Sequence, residues 1–216
     1  LSERQKQIAA QAAAELVEAD MRVGLGTGST VAHLLPAIAA RGLSGLRCVA
    51  TSPATAHAAR ALGLALADLD ELGALDIAID GADQIDPEGW LIKGGGGAHT
   101  REKIVATTAR RFVVIASAEK AVPALRAPVP LEILRFAAHT TLAAIAPAEL
   151  RGAPASPDGN LIADYRGAID APAPLAARLS ATPGVVEHGL FAPELVSDIL
   201  IAHDGDEIEH RRGRAR

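Results

Sequence analysis

The chain predicts an α/β fold: a doubly wound, mostly parallel sheet of Rossmann-like type, carrying a smaller inserted α+β domain. Three observations predict it. Short apolar runs alternate with helical stretches up to about residue 120, the pattern of a parallel sheet built from strand–helix–strand units. One of these runs, 75–79, stops on Asp80, and open α/β sheets bind ligands outside the carboxyl ends of their strands. After a proline-rich stretch at 127–130 the order changes to strands that pair back on one another through turns. The expected boundaries are 1–126 with 194–216 for the first domain and 127–193 for the second.

Length and composition bound the reading. A chain of 216 residues makes one large domain, or one carrying a smaller one. Apolar residues are 49% and aromatic residues 2%, so the core is built from Ala, Leu, Val and Ile. Few aromatics and a net charge of −5 argue against a nucleic-acid partner. Cys48 is the one cysteine; a disulfide framework is excluded, and a buried structural thiol is the expectation. The N-terminus shows no signal-peptide pattern, and no apolar run is long enough for a membrane span. The cytoplasm is the expected compartment and no membrane partner is expected.

The elements follow in order. Residues 2–19 read as an alanine-rich helix that Ser2 can cap. Lys6 lies one turn in, where a solvated surface lysine is the ordinary reading. Residues 21–26 read as the first strand, and Thr27, Gly28, Ser29 and Thr30 as the turn into a helix over 31–41. Backbone N–H groups and three hydroxyls at a helix N-terminus make a ready anion site. A Walker A loop would need Gly-Lys-Ser/Thr, and no lysine is present. A dinucleotide fingerprint would need a third glycine where Ser29 stands and an acid ending the next strand, which instead ends Ala50-Thr51-Ser52. ATP and NAD are therefore disfavoured and a monophosphate fits better, although an ordinary strand–turn–helix junction accounts for the stretch equally well.

Residues 46–51 read as the second strand, 55–62 as a helix and 64–66 as a short third strand. The strand into Asp80 comes next, then a helix over 100–111 capped by Thr100, and a buried strand over 112–116. Lys120 follows the carboxyl end of that strand and can face the same cleft. Residues 127–130 read as an extended linker. Beyond it come a strand at 131–134, a helix at 140–145, a strand near Leu150 and a turn at 157–160, with 161–165 pairing back as a hairpin. A helix at about 174–180 and a strand at 185–188 complete the small module. The last strands, around Ile199 and Ile208, rejoin the first domain, and 211–216 read as a frayed basic tail.

The chemistry concentrates between residues 79 and 103. This stretch holds Asp80, Asp83, Asp86, Lys93 and Glu102 around four consecutive glycines, Gly94 to Gly97. Taken singly, Asp-Gly-Ala-Asp can be a turn and Glu102 with Lys103 a solvated helix start. A glycine quartet flanked by lysine and glutamate points instead to bare backbone N–H groups meeting an anion or oxyanion. Asp80, Asp83 and Asp86 lack the spacing of a Ca²⁺ loop, and none of the 7 histidines has metal-ligand spacing, so no metal is expected.

The motifs DGADQID and KGGGGAHTREK, at this separation in a chain of this size, resemble ribose-5-phosphate isomerase of type A. The resemblance extends over nearly the whole sequence. GLGTGST resembles the family's phosphate loop, and 189–191 and 198–202 resemble its closing segment. It implies an aldose–ketose isomerase of the non-oxidative pentose phosphate pathway, acting on a small sugar phosphate without a cofactor, as a homodimer or alternatively a homotetramer. By match to the family motif, Glu102 is the base, and Asp80 and Asp83 handle proton traffic between O1 and O2 and ring opening. Lys93 and the amides of Gly94, Gly95 and Gly96 stabilise the enediolate. Thr27, Gly28, Ser29 and Thr30 anchor the phosphate, with Lys6 and Lys120 in reach of it. His99 departs from the family, which often has an aliphatic residue there. A sugar-phosphate deaminase or a CoA transferase would share the general fold, and His99 leaves the first of these open. A sugar-phosphate sensor would need a basic DNA-binding segment, which this chain lacks.

Overall fold

The computed structural model describes residues 2–215. Its contacts divide it into two compact units, Leu1–Ala82 with Arg101–Ala121 and Pro193–Arg216, and Asp83–Thr100 with Val122–Ala192. The second unit differs from the expected 127–193 chiefly by taking in residues 83–100. The reason is pairing: Gln84–Ile85 and Leu91–Ile92 form a small sheet with Leu190–Phe191.

Among the described residues, the first unit is a six-stranded sheet in the order Ile208–Arg212, Asp198–Ala202, Phe112–Ser117, Ile77–Gly81, Arg22–Leu25, Arg47–Ala50. The last five run parallel, and Ile208–Arg212 is antiparallel to its neighbour. Strand Phe112–Ser117 is buried at every position, as a strand covered on both faces must be, and its run of apolar side chains follows from that. Helices Ser2–Ala14 and Ser29–Ala40 pack into the same core, with Ala9, Ala10, Ala13, Leu34 and Ile38 at or near zero exposure beside Leu25, Ile79 and Ile115. Small alanines let helix and sheet approach closely, which is how a core with few aromatics closes. Cys48 lies inside it, and burial pushes its thiol up to about 11, in keeping with a structural, unreactive cysteine.

Three expectations for this unit are corrected. The first helix stops at Ala14 rather than near residue 19, because Arg41 donates from Nη1 to the carbonyls of Ala14, at 2.5 Å, and Val17. The Ala14 carbonyl also accepts from the Val17 N–H at 3.1 Å, a tightened turn that closes the helix. Residues 64–66 form no strand of their own, only a bridge of Leu66 to Cys48, because the chain turns at once into helix Leu69–Leu72. The basic tail is not frayed. Arg211 and Arg212 pair with Ile199 and Asp198, and Gly213 and Ala215 still donate to Ser197 and Val196; Arg216 lies outside the described residues.

The second unit holds an antiparallel sheet in the order Val185–His188, Val129–Ile133, Leu161–Tyr165, Ala148–Leu150. Val129, Leu131 and Ile133 turn one face toward Leu142 of helix Ala138–Ala144 and Leu175 and Leu179 of helix Pro172–Ser180. The segment expected to be a linker is partly strand. Pro130 is tolerated because its carbonyl accepts from Gly189 at 2.7 Å, placing its N on the side where pairing with His188 starts only at Leu131; no ladder bond is lost. Alternation puts Glu132 and Asp164 on the opposite face.

Candidate active site

In the first unit the sheet reverses its winding between Arg22–Leu25 and Ile77–Gly81, and such switch points open a crevice at the carboxyl ends of the strands. Asp80 and the threonine loop both stand there. Asp80 is 3% exposed. Its Oδ1 accepts from the N–H of Thr27 at 3.1 Å and of Gly81 at 2.7 Å, so this carboxylate is aimed by backbone donors. The close approach requires glycine at position 26, where a Cβ would stand 2.0 Å from Cγ of Asp80.

The threonine loop differs from expectation in one side chain. The Thr27 hydroxyl turns inward to Thr51 Oγ1 at 2.7 Å rather than outward, because Thr51 follows the neighbouring strand. Thr55 completes the network by donating to the Gly26 carbonyl at 2.9 Å. The helix begins at Ser29, two residues earlier than expected, with Gly28 as its N-cap at φ 123 and no side-chain capping bond. Ser29 and Thr30 therefore lie in the first turn, where backbone N–H groups have no partner within the helix. Gly28 and Ser29 are exposed and Thr30 is half-buried.

Lys120 follows the carboxyl end of strand Phe112–Ser117, and neighbours of Lys6 on the first helix touch the same turn. The Gln5 side chain accepts from the N–H of Ala118 at 3.3 Å, and Ser2 donates to Glu119 at 3.1 Å. The Lys6 side chain is 15% exposed and its ammonium sits 2.6 Å from Glu3, whose other oxygen meets His33 at 3.1 Å. Lys6 and His33 hold the Glu3 carboxyl below its ordinary value. Lys120 is half-buried in the 3₁₀ turn Ala118–Lys120. Glu102, 5% exposed, lies in the first turn of helix His99–Thr108.

The second unit carries the glycine loop. The Asp83 carboxylate accepts from the N–H of Gly95 at 2.8 Å. Lys93 is 3% exposed, and its ammonium lies 5.5 Å from the centre of the Phe191 ring, a cation–π distance. Gly94, at φ 104, has no room for a side chain, since a Cβ would stand 2.6 Å from His99 Nδ1 and 2.8 Å from Pro130. His99 is fully buried, with Nε2 3.4 Å from the Glu187 carbonyl. Asp86 serves its own turn by accepting from the N–H groups of Glu88 and Trp90, each at 2.9 Å.

Residues that sequence reasoning passed over hold this loop. Thr100, expected as a helix cap, lies inside helix His99–Thr108 and donates to Glu132 at 2.5 Å. Glu132 has zero exposure, and its other oxygen accepts from Ser156 at 2.7 Å and Asn160 at 2.8 Å. Arg151 donates to the carbonyls of Gly94 and Gly95 and pairs with Asp164, which is 5% exposed. The available signal was alternation: Glu132 and Asp164 are the polar positions of two otherwise apolar strands.

A family model described as ribose 5-phosphate isomerase A (phosphoriboisomerase A) matches residues 47–206. The chain is 50% identical over 215 residues to ribose-5-phosphate isomerase A of Caulobacter vibrioides, covering 93% of this chain and 94% of that one. It is 44% identical to the protein of that name from Chloroflexus aurantiacus, covering 97% and 93%. A solved D-ribose-5-phosphate isomerase in complex with phospho-erythronic acid is 34% identical and superposes with a TM-score of 0.93 over 98% of this chain and 99% of its own. The ribose 5-phosphate isomerase A of Neisseria gonorrhoeae is 32% identical, with a TM-score of 0.91 over 98% and 97%.

Proposed function

The chain belongs to the ribose 5-phosphate isomerase A family, and from that premise we propose that it interconverts D-ribose 5-phosphate and D-ribulose 5-phosphate by carrying one proton between C2 and C1 through an enediolate. The observation that carries the reading is the likeness to the isomerase holding phospho-erythronic acid, a phosphorylated polyhydroxy acid that shares a phosphate and hydroxyl groups with the sugar phosphate.

In this reading Glu102 is the base. Its 5% exposure suits a carboxylate that must take a carbon-bound proton without competition from water. Asp80 and Asp83 serve the oxygens, moving a proton between O1 and O2 and opening the furanose ring. Both are held by backbone N–H donors, which supports fixed acceptors. Lys93 and the glycine amides stabilise charge on the enediolate oxygen. The first turn at Gly28, Ser29 and Thr30 takes the phosphate, with the Thr27 hydroxyl bracing the loop, and Lys6 and Lys120 add positive charge. A remote phosphate anchor holds the reacting carbons in place. The family resemblance also supports a cytoplasmic homodimer working in the non-oxidative pentose phosphate pathway, and sedimentation of the purified chain checks the dimer.

The test is an NMR assay with ribose 5-phosphate in D₂O, in which deuterium should enter the ketose at C1. Glu102→Gln should keep the fold and lower kcat by about a thousandfold, within the range for loss of a general base. Deuterium at C1 would establish proton transfer through a base that exchanges with solvent. Without it, the base returns the same proton before exchange, and Glu102→Gln carries the test of the route. No conversion would remove the isomerase reading.

A further inference from the structure

A run of four glycines has many backbone conformations open to it, because no Cβ restricts φ, and ordering it costs conformational entropy. Gly94 to Gly97 is nevertheless tied at defined atoms. Arg151 Nη1 donates to the Gly94 carbonyl at 3.1 Å and to the Gly95 carbonyl at 2.9 Å. The rest of the guanidinium is occupied by Asp164, with Nε to Oδ2 at 3.0 Å and Nη2 to Oδ1 at 2.5 Å. The Arg151 side chain is 21% exposed and that of Asp164 7%, so water competes little for this pair.

The consequence lies in the peptide planes. In a trans peptide the carbonyl of one residue and the N–H of the next point in opposite directions. A Gly94 carbonyl turned to Arg151 turns the Gly95 N–H away from it, and there Asp83 accepts that N–H at 2.8 Å. A Gly95 carbonyl turned to the same nitrogen turns the Gly96 N–H away as well. One guanidinium group thus acts on two amides of the loop, alone at the Gly95 carbonyl and, at the Gly94 carbonyl, together with the turn bond from the Gly97 N–H at 3.0 Å.

We propose that Arg151, held by Asp164, is a positioning residue that aims the Gly95 and Gly96 N–H groups and, through Gly95, fixes the Asp83 carboxylate for the isomerisation. Its role in the reaction rests on the isomerase reading above; its role in orienting the loop does not. A lysine cannot replace it, because an ammonium on a flexible stem does not pair along one edge with a carboxylate while bridging two carbonyls on another.

The experiment compares the wild-type chain with Arg151→Lys and Arg151→Ala. Arg151→Lys should lower kcat at least tenfold while KM for ribose 5-phosphate changes less than threefold and the circular dichroism spectrum is unchanged. Millimolar methylguanidinium should restore part of the Arg151→Ala activity and leave the wild type unaffected. Independently of activity, hydrogen exchange should show the Gly95 amide losing protection at least tenfold in Arg151→Lys, with the strand amides of Leu131 and Ile162 unchanged. Unaltered Gly95 protection, an equal loss across the strand amides, or an unaltered kcat would each overturn the proposal. A wild-type chain inert toward ribose 5-phosphate would overturn the isomerase reading instead, and the exchange measurement would then decide the orienting role alone.

Discussion

Residues 26–30 and residues 94–97 are both glycine-bearing turns that lead toward a helix, and the sequence marks both for an anion. They are held in different ways. The first is fixed by its own neighbours: strand Arg22–Leu25 ends, helix Ser29–Ala40 begins, and Thr51, Thr55 and Asp80 supply bonds from the adjoining strand ends and helix start. The second is tied to an antiparallel sheet through Arg151 and Asp164, while Glu132 of the same sheet holds Thr100 in the helix that follows it. A junction of regular elements brings its geometry with it. The glycine run has one turn bond of its own, from the Gly97 N–H to the Gly94 carbonyl at 3.0 Å, and it rests otherwise on the side chains of Arg151 and Asp83 rather than on a junction of strand and helix.

The comparison can be broken at either loop. The largest effect is expected from Gly26→Ala, whose methyl would overlap the Asp80 carboxylate. Overpacking of this kind costs roughly 1–3 kcal/mol of stability, and displacement of Asp80 should lower kcat by a hundredfold or more. Thermal unfolding and steady-state kinetics read the two, and the Gly95 amide should keep its exchange protection if the loops are held separately. Next comes Glu132→Ala, which leaves the donors of Thr100, Ser156 and Asn160 buried without their acceptor. Loss of that shared acceptor should cost about 3 kcal/mol, a fall in Tm of roughly 6–12 °C for a chain of this size. A change under 2 °C would show that the helix start after the second loop does not depend on that strand. The smallest effect is expected from Thr30→Ala, which removes one hydroxyl from the first turn of helix Ser29–Ala40. KM should rise about tenfold, or about 1.4 kcal/mol, with kcat nearly unchanged, since phosphate binding is shared by ground and transition states. A loss confined to kcat would place Thr30 at the reacting carbons.

Much of the fold was legible. The apolar runs at 75–79 and 112–116 are buried strands of the parallel sheet, with small shifts at their ends, because a strand covered on both faces leaves little choice of residue. Pro130 misled: proline excludes a strand only where its missing N–H would have been bonded, and here that N faces the side on which pairing with Val185–His188 has ended, while pairing with Leu161–Tyr165 runs on through it. Arg41 also escaped notice, since nothing near it announces that it will take the carbonyls of Ala14 and Val17. In the candidate site, Asp80, Asp83, Lys93 and Glu102 could be named because they crowd one short stretch. Glu132, Arg151 and Asp164 could not, being single polar residues in a segment where exposure is the ordinary reading of each.

By itself the sequence determined the alternation of strands and helices, the parallel sheet, the small α+β module and the family of motifs around the glycine quartet. Periodicity and local backbone chemistry act over a few residues and are written directly in the chain. Only the tertiary structure decided which polar side chains go inside and what they hold: Thr27 turned to Thr51, Thr100 to Glu132, and the glycine carbonyls to Arg151. The physical reason is that a buried donor or acceptor must find a partner wherever the fold places one, and the distance along the chain to that partner is set by topology, which no local pattern encodes.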